Sequence, residues 1–501
     1  MSTGKRVLKG GALLGAGQVA AQGLSLVRNA IVARLLSPAD FGVAATFAMT
    51  MAFVEMASNF EPSTLLIQAK DGDESRLQDA AHAVELVRAL INSLMLLLLA
   101  WPLAALFHVR QARWAFFVLS AVPLLRGLGH LDRMRVQRDL VYWPYVTIEV
   151  TTHLVLALVA WPLAAFLRDY SVMLWLLIGQ SLLIAAGAHL LAKRKYRWNW
   201  RKSDMVRFYS FGWPLLLNGF LMFGILQGDR AVIGFDMTMT DLGIYSVGLT
   251  LTLMPATLIF RVVGPIVLPL LARVQHDQVS FAGRYKLCAG GLAVCGLAMS
   301  VPLIVSGGPL VVLLFGSQYS AVGAFIGWLA LAQFFRILRG APTTAALAFG
   351  DTHNQLVSNF VRASAIPIIF VVAILSRHLA AIAFVSAVAE AIALGVSLFR
   401  LSRRHSVDYR SSLAPFSGAL LIIGIAAAVH RTAASHLGAV FEIGLGGLLM
   451  SLSVVAFVSV DATLRREAMA YGRGIIGFFI HRKRSGGFWN SLAAASGGGS
   501  K

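Results

Sequence analysis

Ionisable side chains buried in long apolar stretches are the residues of this chain that could do chemistry. The basic ones are Arg28, Arg88, Arg230, Arg261 and Arg362; the acidic ones are Glu55, Glu61, Glu85, Glu149, Asp229 and Glu390. A charge at the centre of a bilayer-spanning helix costs about 2.5–3.5 kcal/mol on insertion scales, so each retained one calls for a function or a partner. Every basic one is an arginine. Arginine keeps its charge in a poorly solvated cavity, and its planar fork of donors matches the oxygens of a phosphate. Arg28 has no acid within one helical turn and reads, with Arg261, as available to an anionic ligand. Arg88 stands three residues after Glu85 on the same face and reads as paired with it. Arg230 adjoins Asp229, which points roughly 100° away around the helix, so pairing and ligand binding both stay open. Glu55, Glu61 and Asp229 have two readings. A carboxylate in a partly dry cavity can exchange protons, which would couple the protein to a proton or sodium gradient. Otherwise these groups pair with Arg28 or Arg261. His153 and His353 read as packed side chains. No metal-ligand spacing, phosphate-binding glycine loop or nucleophile elbow occurs, so neither a metal nor a cofactor is expected. Cys288 and Cys295, seven apart on one apolar stretch, read as core filler.

The elements that must position these groups are membrane helices. The chain has 501 residues, 57% hydrophobic and only 13% charged, against about 25% charged in soluble domains. Apolar runs near 20 residues long are enough to cross the hydrocarbon. They predict spans at 8–33, 41–67, 82–107, 114–131, 143–167, 171–192, 208–235, 242–270, 287–315, 321–341, 355–376, 379–399, 414–430 and 441–460. The expected fold is an all-α polytopic membrane protein of about fourteen helices, two pseudo-symmetric six-helix lobes and two C-terminal helices. The lobes are expected at 1–203, which includes the basic connector, and 204–400; the extra spans occupy 401–462 and a basic cytoplasmic tail 463–501. Within that tail, 463–490 reads as an interfacial helix and 493–501 has linker composition. Lys+Arg number 43 against 23 Asp+Glu, a net charge of +20. The excess gathers where the span count puts the cytoplasm, above all in the connector from Lys193 to Arg207. By the positive-inside rule this asymmetry supports an inner-membrane protein with both termini cytoplasmic. The connector's Tyr196, Trp198 and Trp200 suit an interfacial segment against anionic lipid rather than a nucleic-acid surface.

One unit repeats. Ser37-Pro-Ala-Asp-Phe-Gly-Val-Ala-Ala45 is answered two hundred residues on by Thr238-Met-Thr-Asp-Leu-Gly-Ile-Tyr-Ser246, with Asp40 matching Asp241. Each copy follows an apolar helix carrying an arginine, Arg28 or Arg230. Ser37 and Pro38 provide a cap and a first-turn proline, so a new helix starts there. A repeated helix–break–helix unit implies two related halves, and transporters of that build hold their ligand between the halves.

The first helix with its arginine, the stretch ARLLSPADFG (33–42) and the later LLIQAKDGDES (65–75) resemble the polysaccharide-transporter branch of the multidrug/oligosaccharidyl-lipid/polysaccharide exporter superfamily, over roughly residues 8 to 400. That branch includes the Wzx-type oligosaccharide flippases. The resemblance implies translocation, by alternating access, of a polyprenyl-diphosphate-linked oligosaccharide from the cytoplasmic to the periplasmic leaflet. No enzymatic step is implied. Arg28, Arg230 and Arg261 would line the pyrophosphate and sugar cavity. Similar peptidoglycan-precursor flippases use cavity arginines from span 1, span 2 and a second-half span. Arg28 and Arg261 match the first and last by position, whereas span 2 departs, with Glu55 and Glu61. The partners implied are the lipid-linked oligosaccharide, membrane lipids, and the polymerase and chain-length proteins of the same pathway; a monomer and no nucleic acid are expected. Two other functions compete: a cation-coupled multidrug antiporter of the same superfamily, whose cationic substrates want acidic cavities, and a membrane-embedded polymerase or ligase, which would need a larger outer loop than any predicted here.

Overall fold

A computed structural model describes residues 3–58, 60–408, 410–432 and 438–460, with 465–466. The tail expected at 463–490 and the stretch 493–501 lie outside the described residues, apart from 465–466. Among the described residues the chain is helical without strands. In the first part α1 (Thr3–Leu35), α2 (Pro38–Ala57), α3 (Pro62–Gln68) and α4 (Ser75–Leu106) are followed by α5 (Arg113–Leu119), α6 (Ala121–Gly127), α7 (Asp132–Arg138), α8 (Trp143–Leu167) and α9 (Ser171–Leu190). Then come α10 (Lys202–Asp236), α11 (Met239–Ala272), α12 (Gln278–Phe315), α13 (Ile326–Ala348), α14 (His353–Ala363), α15 (Ala365–Ser376), α16 (Leu379–His405), α17 (Arg410–Thr432) and α18 (Ala439–Val460). Ten helices are long and apolar enough to cross a membrane, or up to 13 if each bent pair counts as one span. α1 is not in that set, because Gln, Arg and Asn dilute its apolar residues. The chain is a multi-pass helical membrane protein.

The repeated unit has a structural reason. Ser37 caps α2 by accepting from the Asp40 amide at 3.1 Å. Thr238 caps α11 in the same way from Asp241 at 3.1 Å, and the Asp241 carboxylate accepts from the Thr238 amide at 3.2 Å. Both caps satisfy amides that a helix start leaves orphaned. The two capped helices then cross at their own glycines. A Cβ on Gly42 would overlap the Met239 carbonyl oxygen, and one on Gly243 would overlap that of Pro38. Small residues allow this approach in lipid, where no hydrophobic force drives helices together. The ends of α1 and α12 are clasped at the same end of the bundle. Arg34 donates to the carbonyls of Leu313 and Leu314, while Gln318 donates back to Ala33 at 2.9 Å.

Span 2 does not run unbroken to residue 67. α2 ends at Ala57, and Glu61 sits in the break with left-handed backbone, φ 48°. Pro62 opens α3, and its ring disfavours the right-handed helical conformation at the preceding residue, so one helix does not run through this point. α12 bends at Ser306 (φ −126°). Pro309 lies three residues on and has no amide to continue the ladder. The 114–131 stretch, expected as one span, is α5 and α6, with a 47° bend before α7.

The connector between α9 and α10 is packed against protein rather than laid only on lipid. His82 and His130 ring nitrogens meet the carbonyls of Arg197 (3.1 Å) and Arg194 (2.9 Å), and the Asp132 carboxylate accepts from the Lys193 amide at 2.8 Å. Tyr196 packs on the His82 ring at 4.4 Å, whereas Trp198 and Trp200 are exposed.

Candidate anion-binding cavity

α13 explains where a basic site forms. Gln333, Arg336, Arg339 and Thr343 recur at helical spacing on one face of this helix, which runs from Ile326 to Ala348 and so carries both arginines near its middle. α14 faces it and supplies Arg362, Asn359 and Gln355; α11 supplies Arg261. Together these line a cavity of about 420 Å³ whose wall holds four arginines, with Thr257, Thr343 and Thr344 and no carboxylate. Arg339 and Arg362 are buried, Arg336 is half-buried and Arg261 is exposed.

Behind this wall lies a smaller cavity of about 70 Å³, reached by Arg336 and Arg362 from the other side and lined also by Asp229, Gln333, Ser386 and Glu390. Glu390, on α16, takes Arg362 at 2.6 Å and stands 3.5 Å from the Arg339 Nε. Arg339 is further held by the Ser358 hydroxyl at 3.1 Å. Arg336 has no carboxylate within ion-pair distance among the described residues. Three buried or half-buried guanidiniums therefore share one carboxylate, and the remaining positive charge faces the larger cavity. α14 is fixed in place by Asn354, which exchanges hydrogen bonds with Ser397 of α16 at 2.6 and 2.9 Å. The turn before it is fixed by Asp351, which takes His405 at 3.2 Å. Burial pushes the Asp351 carboxyl up, but the His405 hydrogen bond, the Arg404 charge and two backbone amides outweigh it and hold it below the usual carboxylate range.

The residues singled out from the sequence scatter. Arg261 is in the cavity and reaches across to Gln18 of α1, which in turn donates to the Tyr145 hydroxyl on α8 at 3.3 Å. Arg28 is buried on α1 where it packs against α8; its partners are Ser25 at 3.4 Å and Asn29 at 3.2 Å, with no carboxylate within ion-pair distance among the described residues. Arg230 does not line the cavity and donates to Gln227 at 3.3 Å. Asp229 turns away from it, accepts from the Tyr245 hydroxyl at 2.7 Å and faces the small cavity. Glu55 pairs with neither Arg28 nor Arg261 but with Arg126 of α6. Glu61 belongs to the break described above and accepts from Thr64 at 2.7 Å. Arg88 pairs with Glu85 at 2.5 Å.

Sequence reasoning misses Arg336 and Arg339, because a span ending at 341 leaves them near its edge. Their signal is QFFRILRG (333–340), two arginines one turn apart with a glutamine on the same face.

Against known proteins, the profile of a family described as "Polysaccharide biosynthesis protein" matches residues 31–323, more than half of the chain. The chain is 22% identical over 371 residues to the succinoglycan biosynthesis transport protein ExoT of Rhizobium meliloti (strain 1021), 68% of this chain and 73% of that one. It is 25% identical over 303 residues to the amylovoran biosynthesis protein AmsL of Erwinia amylovora, 57% of this chain and 74% of that one. Among solved structures, an inward-closed lipid II flippase, MurJ, superposes with a TM-score of 0.70 at 14% identity, covering 90% of this chain and 98% of its own. An inward-facing multidrug transporter of the MATE family gives 0.61 at 14% identity, covering 77% and 94%. At such identities these two likenesses concern the fold.

Proposed function

Since the chain belongs to the polysaccharide biosynthesis protein family, we propose that it is a flippase, a transporter rather than an enzyme, of a polyprenyl-diphosphate-linked oligosaccharide. It moves this precursor from the cytoplasmic to the periplasmic leaflet of the bacterial inner membrane, for assembly of a surface polysaccharide. The observation that carries the reading is the cavity of about 420 Å³ with four arginines and no carboxylate on its wall. Such a wall suits a diphosphate and repels a cation, which speaks against the multidrug antiporter. The neighbouring threonines, Gln355 and Asn359 offer hydrogen bonds to sugar hydroxyls. The relatives named for succinoglycan and amylovoran biosynthesis support a polysaccharide precursor as the cargo.

In the proposed cycle, lobes 1–203 and 204–400 rock against each other; the cavity is lined by residues of the second lobe and meets the first through Arg261 and Gln18. The Gly42–Gly243 crossing and the Arg34–Gln318 clasp form the periplasmic closure. Of the three arginines expected at the site, Arg261 meets the diphosphate in the cavity. Arg28 and Arg230 are contacts along the rest of the route, and the Asp229–Tyr245 pair is the candidate for coupling to a proton or sodium gradient. Spans 401–462 flank the second lobe, and both termini are cytoplasmic.

The test is depletion of the protein in its source bacterium, with lipid-linked oligosaccharide and surface polysaccharide measured together. Accumulated intermediate with lost polysaccharide is the expected result. Normal polysaccharide with raised sensitivity to cationic drugs would replace this reading with the antiporter.

A further inference from the structure

We propose that the anionic group of the ligand binds between α13 and α14, on Arg336, Arg339 and Arg362, and that Glu390 is the resident counter-anion it displaces. The proposal deepens the flippase reading and rests on it for the identity of the ligand; the displacement itself rests on geometry.

Arg336 and Arg362 each border both cavities, the wide arginine-lined one and the small one that holds Glu390. Their guanidiniums can therefore serve the carboxylate on one side or a ligand on the other. The resident arrangement is incomplete. Among the described residues Arg362 alone forms a short ion pair with Glu390, at 2.6 Å; Arg339 stands 3.5 Å away. The Arg339 Nε and the second Glu390 oxygen face each other as a long ion pair, and neither has a hydrogen-bond partner. A buried charged group with an unmet donor or acceptor is costly, and a ligand oxygen reaching Arg339 would remove that cost on the arginine side. The charges also fit. Three guanidiniums against Glu390 leave a surplus that a diphosphate diester, with about two negative charges, would neutralise. The donors are held ready: Ser358 holds Arg339 at 3.1 Å, and the Asn354–Ser397 bonds fix α14 on α16. A preformed site of this kind loses little entropy when it binds.

Glu390 thus sets how tightly the empty site holds an anion. A carboxylate strong enough to keep the arginines folded inward and weak enough to be displaced would let a diphosphate enter on one side of the membrane and leave on the other. The Asp229 carboxylate lines the same small cavity but is engaged by Tyr245 at 2.7 Å, so it does not substitute for Glu390 at the arginines.

The experiment is calorimetric titration of the full-length protein, in nanodiscs of neutral phosphatidylcholine, with inorganic pyrophosphate. Arg336→Gln is expected to weaken binding about tenfold and Glu390→Gln to tighten it about tenfold, the scale of a single interaction between charges. Glu390→Asp keeps the charge but draws the carboxylate back, and is expected to tighten binding about threefold even if the glutamine variant does not fold. Arg113→Gln, exposed at the start of α5 and outside both cavities, is expected to leave binding within about twofold of wild type. Folded Glu390→Gln or Glu390→Asp protein binding pyrophosphate no more tightly than wild type would overturn the proposal. So would wild-type affinity in Arg336→Gln. If depleted cells accumulate the lipid-linked intermediate while the purified protein binds no pyrophosphate, the site fails and the flippase reading stands. If binding follows the expected order but polysaccharide is normal without the protein, the flippase reading fails and the site stands.

Discussion

Arg336 and Arg362 share a cavity wall but differ in what they leave behind when removed. Arg362 is the close partner of buried Glu390, at 2.6 Å. Its replacement by alanine strands that carboxylate and is expected to cost about 3–5 kcal/mol of stability, the usual penalty for breaking a buried pair. A large fall in melting temperature of the purified variant would register it. Arg336→Gln strands no carboxylate and is expected to melt within a few degrees of wild type, yet to abolish surface polysaccharide in cells relying on it. Arg28→Ala is expected to express normally and to lose polysaccharide as well; wild-type polysaccharide would remove Arg28 from the route. The sequence makes the arginine identities and the Glu85–Arg88 pair legible, because these are local. It does not make Glu390's partners legible, because Arg339 and Arg362 lie 51 and 28 positions away and only helix packing unites them. The same holds for Glu55, whose partner Arg126 is 71 positions on.

At the scale of elements, the crossing of α2 and α11 and the loop before α4 carry separate expectations. Gly42→Ala or Gly243→Ala puts a methyl into the carbonyl of the other helix. Each is expected to destabilise by about 1–3 kcal/mol, the range for overpacking, and to weaken closure at that end. Cysteine cross-linking across the crossing would read the closure. In the loop, Asp71 takes Arg207 of α10 through two oxygens at 2.7 and 2.8 Å. That hydrogen bond holds its carboxyl below the ordinary value. A depressed folded-state pKa means the stabilisation is present above the unfolded value and lost as pH falls through the folded one. Acidification below the ordinary carboxylate range is therefore expected to loosen the start of α10, seen as faster amide exchange at 202–207, and Asp71→Asn to abolish the pH dependence. The sequence announces the α2 and α11 starts through their caps and the repeat. The break at Glu61 is legible as well, in the polar, proline-bearing stretch Ser58-Asn-Phe-Glu-Pro-Ser-Thr64, although the span expected at 41–67 runs across it. The end of α13 is hidden: the helix persists past residue 341 because Ala341, Pro342, Ala345, Ala346 and Ala348 are buried between neighbours.

For the whole molecule, composition settles the membrane class and the repeated motif announces related halves, whose capped starts meet at Gly42 and Gly243. The location of the basic cavity is a property of the assembled bundle: α11, α13 and α14 contribute its arginines and α16 their counter-charge. Whether this cavity carries a diphosphate-linked sugar across the bilayer is tested most directly in proteoliposomes. The protein is reconstituted with the lipid-linked oligosaccharide that accumulates in depleted cells, and the fraction that a membrane-impermeant lectin can reach from outside is followed in time. With wild-type protein the pool on the inner leaflet is expected to become reachable within minutes, and with Arg336→Gln to stay protected. Equal exposure with wild type, Arg336→Gln and protein-free vesicles would contradict transport through this cavity.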